Sequence, residues 1–184
     1  MSIIVFDSAA RQNLFPFVHT RPVADIRCGI LTMRERWAFY LGGAAGTLTE
    51  SYLSVLFPHS ATGNSIYVNG AVFADATMAD AIKQLEIGSS LRAGDMIIAA
   101  HIPAWTGTCD EFNAHVAALP AIAYGGNVMA LDQIWDIFSL NDKAIRADFA
   151  AITAGRTSAP VPEGVVVTGK DQLFIEPGAN VYAG

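Results

Sequence analysis

Charge is what this chain has least of. Charged residues fill 15 % of its 184 positions, against about 25 % in ordinary soluble domains. Two readings of so thin a charged shell stay open. Part of the apolar surface faces a partner subunit or a missing domain, or the domain is simply alanine-rich and well packed. No two basic residues are adjacent and the net charge is −6, so nothing here attracts a nucleic-acid backbone. Cysteine is scarce: Cys28 and Cys109 lie far apart and match no metal-ligand spacing. They are expected as free buried thiols in a reducing cytoplasm. The opening Met-Ser-Ile-Ile-Val-Phe-Asp has no basic stretch and no long apolar core, so no signal peptide is expected. No apolar run approaches about 18 residues, which excludes a membrane-spanning helix on sequence grounds. A soluble, cytoplasmic protein is expected.

What is present is apolar. Hydrophobic residues make up 52 % of the chain, enough for a sizeable core. Ser2 to Phe6 reads as a buried strand ended by Asp7, and Ser8 to Thr20, containing Pro16, as a long loop. Ile30, Met33, Trp37 and Leu41 share a helical face, and Gly42-Gly43 stops that helix. Ser65 to Val68 and Asp95 to Ile102 read as strands. Met78 to Leu85, Thr108 to Leu119, Leu131 to Phe138 and Asn141 to Ile152 read as helices. Trp37, Trp105 and Trp135 are expected in the core. His19, His59, His101 and His115 never sit at metal spacing, and His101 reads as a core residue. Alternating strands and helices predict a three-layer α/β domain with a mostly parallel sheet.

Gly155 to Glu163 is rich in Ser, Pro and Gly and reads as a linker. Beyond it Val165 to Val167 reads as β, and Ile175 and Val181 stand six apart around the small Ala179. That spacing is one turn of a hexapeptide repeat, the unit of a left-handed parallel β-helix. One coil cannot bury its own interior, so residues 165–184 are expected to pack poorly. The predicted organisation is therefore an α/β domain over 1–155, a linker over 156–164, and the first coil of a truncated β-helix over 165–184.

Chemistry concentrates in Arg11 to Trp37, which holds Arg11, Arg21, Arg27, Arg34 and Arg36. Three of these follow the first strand, at the carboxyl edge of the sheet where α/β ligands bind. Arginine suits phosphate because its planar fork donates two parallel hydrogen bonds. The competing reading is that these arginines pair on the surface with Asp7, Asp25 and Glu35.

The same segment carries a resemblance. Sugar-1-phosphate nucleotidyltransferases open with a strand, a Gly-rich loop ending in arginine, Leu-x-Pro-Leu, a Pro-Lys pair and a Gly-led helix start. Ile3 to Phe6, Arg11, Leu14-Phe15-Pro16-Phe17, Thr20-Arg21-Pro22 and Gly29 to Met33 are similar in order and spacing. The wording from Thr20 to Trp37, with Tyr67-Val68-Asn69-Gly70, Ile134-Trp135-Asp136, Asn141 to Phe149 and Phe174 to Ala179, resembles a divergent bacterial family of sugar nucleotidyltransferases. That family is related to the bifunctional N-acetylglucosamine-1-phosphate uridyltransferases and to glucose-1-phosphate thymidylyltransferases, and its C-terminal half is a hexapeptide β-helix.

The resemblance implies a Rossmann-like nucleotidyltransferase domain acting on a nucleoside triphosphate and a sugar 1-phosphate, with Mg²⁺ if active. It implies catalytic roles for Arg11 and Arg21, lining one cleft, and substrate contacts from Asp7, Arg27, Asn69, Gly70 and Asp75. It assigns no metal ligand. A homo-oligomer through the missing β-helix is a further expectation. Departures from the pattern point to a second function, a binding module without turnover that regulates or scaffolds an attached β-helix acyltransferase. The Gly-rich loop, which lets backbone N–H groups approach a triphosphate, reads Asp7-Ser8-Ala9-Ala10. The signature lysine is Val23, and Ala71, which cannot bind metal, follows Asn69-Gly70. The nearest acids are Asp75 and Asp80.

Overall fold

A computed structural model describes residues 2–59 and 61–182. Strand β1 (Ser2–Phe6) alternates its side chains between two buried faces. Helix α1 (Met33–Leu41) starts at a reciprocal cap, with the Thr32 side chain accepting from the Glu35 amide and Glu35 from the Thr32 amide. It ends at Gly42 in the left-handed conformation, φ 77°. There follow β2 (Ala45–Leu48), α2 (Ser51–Ser54), β3 (Asn64–Asn69), α3 (Ala76–Lys83), β4 (Ser89–Ala93) and β5 (Met96–Pro103). Helix α4 (Cys109–Ala117), β6 (Ala121–Ala123), α5 (Asp136–Ser139) and α6 (Asn141–Thr153) complete the domain.

The six strands run in the order β2-β1-β3-β5-β4-β6. Pairs β1–β2, β1–β3 and β4–β6 are parallel, and β3–β5 and β4–β5 are antiparallel. The sheet is thus mixed and mostly parallel, as expected, with an antiparallel β4–β5 hairpin in its outer half. Ile3, Val5, Ile66 and Val68 pack on one face with Trp37 of α1 and Met78 and Ile82 of α3. Ile4, Phe6, Tyr67, Ala100 and Ile102 pack on the other with Phe112 and Val116 of α4. These are the three layers. Among the described residues no helix is long and apolar enough to cross a membrane.

A third apolar cluster joins the loop after β1 to α6 through Leu14, Val18, Val23, Ile26, Cys28 and Ala144. A buried ion pair fastens it. Arg36 donates to both Asp148 oxygens at 3.0 and 2.7 Å and to the Cys28 carbonyl at 2.7 Å. Asp148 also accepts from the Ile30 and Leu31 amides at 2.9 and 3.1 Å. Gly29 is required here: its φ is +96°, and a Cβ would lie 2.5 Å from an Asp148 oxygen.

Several expectations need correction. Helix α1 begins at Met33 rather than Ile30, because the amides of Ile30 and Leu31 are bonded to Asp148. Part of the predicted loop, Ala9–Leu14, is a 3-10 turn. Residues 131–135 are not helical: the Asp136 carboxylate accepts from the Asp132 and Gln133 amides at 3.0 and 2.8 Å and sets a turn there. Trp135 consequently leaves the core and is 63 % exposed, whereas Trp37 is buried. Val165 to Val167 forms no strand, and residues 165–182 contain only a 3-10 turn at Lys170–Gln172. A lone coil has no neighbour to complete a ladder. Ile175 is nonetheless buried, because the tail folds back on itself: the Ile175 carbonyl accepts from the Ala159 amide at 2.9 Å, and its amide donates to Ser158 Oγ at 2.8 Å. Positions 183 and 184 of the expected coil lie outside the described residues.

Replacing Asp148 by alanine leaves Arg36 charged and buried without a partner, which costs about 3–5 kcal/mol. Urea unfolding of Asp148→Ala is expected to show that loss, while the exposed Asp142→Ala stays within about 0.5 kcal/mol of the parent.

Candidate functional site

Strand β1 lies between β2 and β3, so the chain leaves it to one side and returns on the other. The carboxyl ends of β1 and β3 form the switch point where an open α/β sheet gathers its ligands. Asp7 follows β1 there. Its amide donates to the Leu48 carbonyl at 3.0 Å, which continues the ladder to β2. Its buried carboxylate accepts from Arg11 Nη1 at 2.9 Å, Thr49 Oγ1 at 2.6 Å and the Val23 amide at 2.9 Å.

Arg11 is buried as deeply as Asp7. Beyond Asp7 its guanidinium donates to the Arg21 carbonyl at 3.2 Å, the Val18 carbonyl and the Tyr52 hydroxyl at 2.9 Å. Tyr52 passes the contact on, donating to the His19 carbonyl at 2.9 Å. The loop from Ser8 to Val23 is wrapped around one guanidinium. Burial pushes the Asp7 carboxyl above its ordinary value, and Thr49, Arg11 and the Val23 amide pull it back.

A cleft of about 400 Å³ opens beside this pair. Phe6, Asn69, Ala71 and Ile97 form its base, Ser8 to Gln12 one wall, and Cys109, Asp110 and Asn113 at the start of α4 another. Because β5 runs antiparallel to β3, its first residues come to the same edge and add Asp95 and Met96. Glu50 and Asp132 complete the lining. The cleft therefore presents the carboxylates of Asp7, Glu50, Asp95, Asp110 and Asp132 against the single guanidinium of Arg11, which Asp7 already neutralises. A phosphate oxygen 4 Å from an uncompensated carboxylate is repelled by about 4 kcal/mol at an effective dielectric constant near 20.

The expected site residues separate. Asp7 and Arg11 meet in the buried pair, so the predicted Arg11–acid pairing forms in the interior rather than on the surface. Asn69 borders the cleft, with its amide nitrogen donating to the Ile97 carbonyl at 2.8 Å and its oxygen accepting from the Ala71 amide at 3.0 Å. Gly70 packs on β1, where a Cβ would lie 3.2 Å from the Phe6 carbonyl oxygen. Arg21 is exposed and does not line the cleft, so the two arginines do not line it together. Arg27 is exposed, paired with Glu35 at 3.4 Å, and outside the cleft. Asp75 caps α3 by accepting from the Met78 amide at 2.7 Å, and it borders a different cavity. Val23, standing where a lysine is expected, is core.

The described residues form no ready-made metal cage. Among the described residues no three His, Cys, Asp or Glu side chains are grouped to hold a metal ion, and Ala71 offers no ligand. Thiol chemistry is closed as well. Burial pushes the Cys109 thiol up to about 12, with Asp7 and Glu50 adding to the rise. Its Sγ–H donates to the Asp7 carbonyl at 3.1 Å.

The family model of the sugar nucleotidyl transferases matches residues 3–157, a span that holds the whole cleft. The chain belongs to the sugar nucleotidyl transferase family. Among solved structures, a protein from Bacillus anthracis named for glucose-1-phosphate thymidylyltransferase, in complex with a sucrose, is 10 % identical, with a TM-score of 0.43 over 79 % of this chain and 95 % of its own. No curated protein matches the chain.

In this sugar nucleotidyl transferase relative, Glu50, Asp95, Asp110, Asn113 and Asp132 escaped the sequence reading. Thr108 with Glu111 three positions on, a reciprocal cap, marked where α4 begins, and could have placed Asp110 and Asn113 at the sheet edge.

Arg11→Ala strands the Asp7 carboxylate and is expected to destabilise the fold by about 3–5 kcal/mol. Arg21→Ala is expected to stay within about 0.5 kcal/mol. Urea titration of the two variants distinguishes an internal counter-ion from a surface cation. Native protein is also expected to leave both thiols unreactive to Ellman's reagent at pH 8, with both reacting once denatured; rapid labelling of the native state at either position contradicts the burial argument.

Proposed function

We propose that this family member is a degenerate sugar nucleotidyl transferase domain, whose cleft binds a nucleotide or sugar phosphate without transferring it. The observation that carries the reading is the commitment of Arg11 to Asp7, the loop carbonyls and Tyr52. Nucleotidyl transfer rests on positioning and on neutralising charge at the phosphates. Here the one cation in the described lining already faces Asp7 and Glu50, and Asp95, Asp110 and Asp132 add further negative charge around the space. A triphosphate entering such a cleft does so as its Mg²⁺ complex, whose lower negative charge reduces the repulsion; Mg²⁺ then comes with the ligand rather than from a protein centre.

The proposal extends to the tail. Ile175 and Val181 keep hexapeptide spacing, and residues 165–184 are read as the lead-in to a β-helix of the kind found in the uridyltransferase-related proteins. The α/β domain over 1–155 then serves that helix as a ligand-binding or scaffolding module, joined through the linker at 156–164. A transferase acting on a nucleoside triphosphate and a sugar 1-phosphate is the competing reading, favoured by membership of the family itself.

Two assays separate them. Pyrophosphate release from nucleoside triphosphates and sugar 1-phosphates, with Mg²⁺ present, is expected to run at least a hundredfold below the ordinary enzymatic range of about 1–10³ s⁻¹. Isothermal titration with the same compounds is expected to show binding only when Mg²⁺ is added. Turnover at about 1 s⁻¹ or faster overturns the degenerate reading, and tight binding without Mg²⁺ overturns the charge argument behind it.

A further inference from the structure

A second surface feature lies away from the cleft. Phe138 of α5 is 88 % exposed, Trp135 63 % and Phe17 56 %, with Ile30 and Ile145 at 40 % and 41 %. Phe17, Ile134, Ile137 and Phe138 line one groove of about 340 Å³, edged by the polar Arg27 and Asn141. The Arg27 guanidinium donates to the Ile30 carbonyl, which brings Ile30 to the same edge. The chain stays nearly helical from α5 into α6, with the Leu140 amide on the Asp136 carbonyl and the Ala144 amide on the Leu140 carbonyl, both at 2.9 Å. Phe138 and Ile145, seven apart, therefore share a face.

We propose that this face is a self-association surface, occupied by the same face of a second copy. Two observations select that partner. The first is shape: one face carries both a projecting aromatic ring, Phe138, and a hollow beside it walled by Phe17, Ile134 and Ile137. A twofold axis next to Phe138 puts each ring into the other copy's hollow, which is the self-complementarity an isologous interface needs. The second is area. A large aromatic side chain carries about 150–250 Å², so the five exposed residues leave roughly 500 Å² of apolar surface. A standard interface takes about 800 Å² from each partner, and a homodimer interface is about 65 % apolar. The patch supplies the apolar part of one such interface. Its place on the loop after β1 and on α5–α6 leaves the cleft residues uncovered, since the cleft and groove linings share no residue.

The test is sedimentation equilibrium on the full chain from about 1 to 100 µM. The parent protein is expected to approach twice its 19.5 kDa mass. Phe138→Asp is expected to raise the dissociation constant by about a hundredfold or more. The substituted side chain is exposed, so the fold is retained, which the far-UV circular dichroism spectrum checks. Val55→Asp, an equally exposed change that does not line the groove, is expected to leave the dimer intact. A parent that stays at 19.5 kDa throughout assigns the patch to some other partner and overturns the proposal. A dimer that survives Phe138→Asp, or is lost in Val55→Asp, overturns it as well.

Discussion

The architecture around the cleft depends on one carboxylate. Asp7 sits at the end of β1, where burial penalises its charge and Thr49, Arg11 and the Val23 amide offset that penalty. Each partner belongs to a different segment: the turn after β1, the end of β2 and the far end of the loop. The pair therefore sets more than a local contact. It fixes where the chain runs from Ser8 to Val23, and that path in turn places Val18, Val23 and Ile26 in the cluster that receives α6. A buried ion pair of this kind adds little net stability, because desolvation offsets much of the attraction. Losing one member is costly, and that asymmetry makes the pair an organiser.

The same fact bears on function. A Gly-rich loop keeps its backbone amides open for phosphate, whereas this loop turns inward to satisfy a guanidinium with its own carbonyls. Both terminal nitrogens of Arg11 are spent on partners inside the protein, which leaves its Nε, without a hydrogen-bond partner among the described residues and 3.9 Å from a Glu50 oxygen. With Asp95, Asp110, Asp132 and Glu50 around the cleft, the electrostatics disfavour the anion that an active transferase must hold. Membership of a family fixes the fold and leaves catalytic competence to the site, which is why the proposed binding role is open to direct assay.

Much of the fold was legible in the sequence, for physical reasons that differ by segment. Ile3 to Phe6 and Met96 to Ile102 are dense apolar runs, and α1 carries its own cap and stop signals. Strand β4 was missed because Ser89-Ser-Leu-Arg-Ala has no clear alternation; pairing with β5 and β6 makes it a strand. That omission hid the hairpin that carries Asp95 to the cleft. Trp135 was misplaced because helical spacing was read through a turn that the Asp136 side chain creates. The candidate cleft opens where the loop after β1 led the sequence reading to look. The direction of the arginines was not legible: whether Arg11 faces ligand or Asp7 depends on tertiary contacts with Thr49 and Tyr52, some forty residues on in the chain. The Arg36–Asp148 pair was equally hidden, although both partners fall in stretches that carried the resemblance.

A double-mutant cycle on Asp7→Asn and Arg11→Met tests the central role of the buried pair most directly. Unfolding free energies of the parent, both single variants and the double variant give the coupling between the two side chains. If Arg11 is the internal counter-ion of Asp7, each single change is strongly destabilising and the double change recovers part of the loss, with a coupling of about 2–3 kcal/mol. Additive effects, with Arg11→Met leaving stability within about 0.5 kcal/mol and abolishing nucleotide binding, would show instead that Arg11 serves the ligand.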